Sequence, residues 1–140
     1  MSARILAGVC LFGVALAAVP NATSGHGSAR ARQWAVASLA EPTLVGSTVV
    51  QGPVLFVHDA EKMARGEPCT TIWLFDPEKG PAEELVSFHC IPKPRAAVTK
   101  FTMTTRPNLD LGFGCILTEY QFAGDAEGHG VPAPPKVNTH

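Results

Sequence analysis

Apolar residues along the middle of this chain recur in short runs, not at helical spacing. Between Gln33 and Phe122 the runs are cut by Pro42, Gly46, Gly52-Pro53, Gly66, Pro68, Pro77, Gly80-Pro81, Pro92, Pro94 and Pro107. Proline lacks a backbone donor and glycine resists ordering, so these breaks leave no room for a long amphipathic helix after residue 42. The intervening stretches (residues 43–51, 54–58, 70–76, 84–91, 97–105 and 109–122) favour β structure, several of them through Val, Ile, Thr and aromatic residues. Short strands between Gly/Pro turns predict an all-β, mainly antiparallel domain over residues 33–122, built as a small β-sandwich or a partly open barrel. Residues 33–40 are Ala-rich and suit a helix as well as an edge strand.

One short helix is expected near residues 59–66. Asp59 can cap it, residues 60–65 are mostly good helix formers, and Gly66 sits where a left-handed residue would end it. Past Phe122 the chain turns Gly- and Pro-rich, with Pro132, Pro134 and Pro135 opposing a regular ladder, so residues 123–140 are expected to be a tail.

The first residues read as an address. Arg4 precedes an uninterrupted apolar run over residues 5–17, and Ala15 and Ala17 supply the small residues of a cleavage site. That pattern predicts a secretory signal peptide over residues 1–17, a flexible Gly/Ser/Asn leader over 18–32, and a secreted or periplasmic protein. The run falls short of the roughly 20 residues a spanning helix needs. No membrane span is therefore expected after cleavage, the alternative being a retained N-terminal anchor. Val9 before Cys10 does not fit a lipoprotein, and Asn21-Ala22-Thr23 fits a glycosylation acceptor.

Composition narrows the class further. In 140 residues, 46% are hydrophobic and only 16% charged, with a formal net charge of -1. Such a chain is neither a charged disordered polymer nor a coiled coil, and it has no global field for nucleic acid. Lys93, Arg95, Lys100 and Arg106 are basic but are broken up by Pro92 and Pro94.

Cys69, Cys90 and Cys115 remain after the expected cleavage. A hairpin folded between Lys79 and Gly80 puts Cys69 opposite Cys90, Thr71 opposite Phe88 and Trp73 opposite Val86. Opposed Cα atoms lie about 4.5–5.5 Å apart, within disulfide range. A Cys69–Cys90 bridge would stabilise the fold by about 3 kcal/mol; Cys90–Cys115, or no bridge, are the alternatives. Alternation then predicts a core of Trp73, Phe75, Val86, Phe88, Leu111, Phe113 and Leu117. Cys115 falls on an apolar face as a buried structural thiol, and Gly112 and Gly114 mark a bend, a bulge or the close approach of an aromatic from the neighbouring strand.

The candidate chemistry is sparse. His58, Met63, Cys69, His89, Cys90, Cys115 and His129 are ligand types suited to copper or zinc. Against a metal site, no C-x-x-C, H-x-x-x-H or C-x-x-C-H occurs, and the adjacent His89 and Cys90 point to opposite faces of a strand. Asp125, Glu127 and His129 alternate on a glycine-rich loop that a divalent cation could use, although the EF-hand pattern is missing and a solvated loop is the simpler expectation. Cys90 beside His89, or Cys115, are the candidate thiol nucleophiles, with no hydrolase motif around them. The expectation is an exported β domain that acts by binding or structural contact with a protein or small molecule, without a cofactor. The alternatives are a copper or zinc protein with His, Cys and Met ligands, and then a thiol enzyme.

Overall fold

The computed structural model describes residues 32–136. The signal peptide and leader expected before residue 32, and the last four residues, lie outside the described residues. What is described is a mostly antiparallel all-β fold with one short helix. Its eight strands form a single mixed sheet that does not close.

β1 (Arg32–Val45) and β2 (Thr48–Asp59) form a long hairpin across Gly46-Ser47. The Ala-rich segment is thus strand, and residues 43–51 are not one strand but the two sides of a turn. Gly46 sits at φ 60°, which opens a two-residue connection that matches strand twist. The β1–β2 register slips between Leu39 and Thr43, so Pro42 falls in a bulge where its missing N–H breaks no ladder bond.

α1 (Ala60–Ala64) follows β2 directly. The Asp59 carboxylate accepts from the backbone N–H groups of Glu61 and Lys62, and Gly66 turns the chain at φ 73°. The Asp59 N–H donates to the Cys69 carbonyl at 2.8 Å, closing this excursion and starting β3 (Thr70–Asp76) beside β2.

β3 pairs with β4 (Gly80–Phe88), but one residue away from the expected register: Thr70 faces Phe88, Thr71 faces Ser87 and Ile72 faces Val86. Asp76 Oδ1 accepts from the N–H groups of Glu78 and Lys79, which moves the turn centre back. That slip exchanges the faces. Thr70 and Ile72 are fully buried and Thr71 is buried beside them, while Trp73 and Phe75 are only half-buried.

β5 (Ile91–Pro94), β6 (Thr102–Pro107), β7 (Cys115–Gln121) and β8 (Glu127–Gly130) complete the order β4-β3-β2-β1-β7-β8-β5, with β6 on β7. β6 runs the whole length of β7, so β1 (parallel) and β8 (antiparallel) share its other edge. β5 is an edge strand, which is how it accommodates Pro92 and Pro94. β8 falls inside the segment expected to be a tail. Gly128 and Gly130 make it possible, since a Cβ there would press on the Glu119 side chain or on Ile91 and Lys93.

The sheet curls strongly. β3 and β7 are three strand spacings apart in the order, about 14 Å if flat, yet Thr70 and Tyr120 share a short side-chain hydrogen bond. The core inside the curl holds Leu39, Val54, Phe56, Ile72, Leu117, Tyr120 and Phe122, with Val86 and Phe88 packed at its margin. Of the other expected core residues, Leu111 and Phe113 are exposed, at 54% and 62%. They sit on a loop tied by Asn108, whose N–H donates to Gly114 and whose carbonyl accepts from Gly112, so strand alternation does not apply there. Gly114 is a close approach, but to backbone and not to an aromatic ring: a Cβ would collide with the Pro42 carbonyl oxygen.

Candidate metal centre

Four side chains from four places in the sequence meet at one end of the curl. His58 is on β2, Cys69 immediately precedes β3, Cys90 lies between β4 and β5, and His129 is on β8. Antiparallel pairing sets His58 beside Thr70, so Cys69 arrives next to it, and β5–β8 pairing sets His129 opposite Pro92, two residues beyond Cys90. All four are enclosed, with exposures of 3% for His58 and Cys69, 8% for Cys90 and 1% for His129.

The distances are short. Ligand atoms of His58, Cys69 and Cys90 all lie within 4.8 Å of one another. Cys90 Sγ is 2.8 Å from Cys69 Sγ and 3.7 Å from His129 Nδ1, and the two imidazole rings are 4.3 Å apart. Cys69 and Cys90 are unbonded thiols here. The Cys90 N–H donates to Cys69 Sγ at 3.3 Å, a contact that favours negative charge on that sulfur. Tyr120 stacks on His129 at 4.9 Å and fixes its ring plane.

Polar bookkeeping singles this cluster out. His58 Nδ1, His58 Nε2 and His129 Nε2 are buried without a hydrogen-bond partner. Buried polar groups almost always have partners, and each orphan costs about 1–3 kcal/mol. Burial lowers His58, despite the opposing pull of Asp125 and Asp59. Burial, aided by His58, brings His129 to about 4 while Asp125 and Glu119 pull the other way. Both imidazoles are therefore neutral at pH 7, the form that ligates metals. Burial, with Cys69 beside it, pushes the Cys90 thiol up to about 12.

Other sequence candidates fall elsewhere. Met63 is on α1, and His89 is exposed between β4 and β5. Cys115 is buried at the start of β7. Asp125 and Glu127 flank His129, with carboxylate oxygens 3.9 and 3.8 Å from its nitrogens. Asp125 is occupied by Gln33 and by the Glu127 N–H, which makes it a neighbour that holds the loop.

Sequence spacing counts Cys69 and Cys90 among the ligand types but pairs them in a disulfide, since no short motif joins them to the histidines. The usable signal was topological: the hairpin already brought the cysteines together, and β2–β3 pairing would have added His58. No family model, curated protein or solved structure matches this chain. Its functional reading accordingly stands on this geometry.

Proposed function

We propose that this protein is an exported β domain that binds one transition-metal ion, zinc or copper(I), through His58, Cys69, Cys90 and His129. The observation that carries this reading is His58, both of its ring nitrogens partnerless, enclosed with the Cys69 and Cys90 thiols so that ligand atoms of the three lie within 4.8 Å of one another, with His129 Nδ1 3.7 Å from Cys90 Sγ. Two thiolates and two neutral imidazoles are a tetrahedral donor set for borderline and soft metals. Each of these four residues is nearly excluded from water, so the site is closed to a substrate. That favours a structural or electron-transfer centre over a hydrolytic one. A thiol enzyme is disfavoured, because a nucleophilic cysteine needs a depressed pKa and Cys90 is pushed the other way. Among the described residues no helix is long and apolar enough to cross a membrane.

The test is metal analysis of the reduced full chain after loading with zinc or copper(I) and removal of excess. One ion per chain is expected, with Cys69→Ser and His129→Gln each abolishing retention. A reduced, folded wild-type chain that retains neither metal would refute the reading.

A further inference from the structure

We infer that Cys69 and Cys90 make this centre redox-gated: oxidation joins them in a disulfide that excludes the metal, and bound metal protects them from oxidation. This rests on the metal-binding reading and adds its regulation. The two sulfurs stand 2.8 Å apart. A disulfide requires about 2.05 Å, and two thiolates on a tetrahedral zinc with Zn–S bonds of about 2.3 Å lie about 3.8 Å apart. The observed separation falls between these, so either state is reached by moving the sulfurs by less than about 1 Å. The two states cannot coexist, because a disulfide carries no thiolate charge and leaves only His58 and His129 as ligands.

The position of the pair allows both moves. Both cysteines lie just outside the β3–β4 ladder, Cys69 before its first strand and Cys90 two residues after its last, so their side chains shift without breaking a ladder bond. The oxidant class is a peroxide, small enough to reach thiols this enclosed. Hydrogen peroxide converts one thiol to a sulfenic acid and releases water. The second thiol then displaces the sulfenic oxygen, forming the S–S bond and a second water. Two thiols lose two electrons and two protons, and one peroxide is reduced. Thiol reductants reverse the step.

The experiment treats the reduced, metal-free full chain and the zinc-loaded chain with hydrogen peroxide in parallel. Peptide mapping after alkylation reads the linkage, and zinc titration reads affinity. The metal-free chain should yield a Cys69–Cys90 linked peptide and lose zinc affinity by about 100-fold or more, since even the loss of groups behind the ligands costs 10–100-fold. A phosphine reductant should restore it. The zinc-loaded chain should form the linked peptide at least about ten times more slowly, its thiolates being held by the metal. Equal oxidation rates with and without zinc would overturn the gate and leave the metal reading standing, whereas linked cysteines with undiminished zinc affinity would overturn both. Both cysteines remaining alkylatable after peroxide would overturn the gate too. A reduced chain that binds neither zinc nor copper(I) overturns the metal reading itself, and the gate with it.

Discussion

Acidifying the reduced, metal-free protein from pH 7 to 5.5 will weaken its fold through His129. Burial holds that imidazole at about 4 against 6.5 for the unperturbed group. Below 6.5 the unfolded chain takes up a proton that the folded chain refuses. Stability is therefore full above the unfolded value and falls as pH drops toward the folded one, by up to about 1.4 kcal/mol per pH unit. Integrated from pH 7 to 5.5, the loss is about 1.2 kcal/mol for this one residue. His58, lowered by burial in the same way, adds to it. Glu127 is raised by burial and acts in the opposite sense, but from a starting value of 4.5, so stopping at pH 5.5 limits its contribution. Urea unfolding followed through Trp34 and Trp73 fluorescence at the two pH values reads the difference, with His129→Gln reducing the dependence. A midpoint and slope unchanged between pH 7 and 5.5 would show that the histidines are not buried as neutral rings.

Phe56 is fully buried against Phe101 and Tyr120; Phe56→Ala should cost about 3–5 kcal/mol in chemical denaturation. Phe113→Ser on the exposed loop should change stability by no more than about 0.5 kcal/mol, a contrast that checks the reassigned core. Asp59→Ala removes the cap of α1 and the partner of Arg32, and a loss of about 1 kcal/mol is expected in the same assay. Gly114→Ala, with its Cβ driven into Pro42, should destabilise by more than about 1 kcal/mol, visible as a lowered melting temperature.

The class of the fold was legible because Gly and Pro punctuation is local information. So was α1, where the Asp59 cap and the Gly66 turn each act within a few residues. Register was not legible, since it depends on where a turn centres. Asp76 capturing two N–H groups moved the β3–β4 turn and exchanged Ile72 for Trp73 on the buried face. Alternation also misplaced Leu111 and Phe113, because Asn108 closes that stretch into a loop. The candidate metal site was half legible. The hairpin argument brought Cys69 and Cys90 together and both histidines were recognised as ligand types, but joining them required β8, hidden in a Gly-rich stretch that resembles a tail. Non-local pairing decides such sites, and single-sequence periodicity does not carry it.

Cobalt(II) substitution tests the central claim most directly, because its spectrum reports both ligand type and geometry. The reduced full chain should take up one cobalt(II) per molecule, with intense visible bands of a tetrahedral ion and thiolate-to-cobalt charge transfer in the near ultraviolet. The charge-transfer intensity should fall by about half in Cys69→Ser and in Cys90→Ser, as each removes one of two thiolates. A weak octahedral spectrum without charge transfer, or one unaffected by either substitution, would contradict a centre built from His58, Cys69, Cys90 and His129.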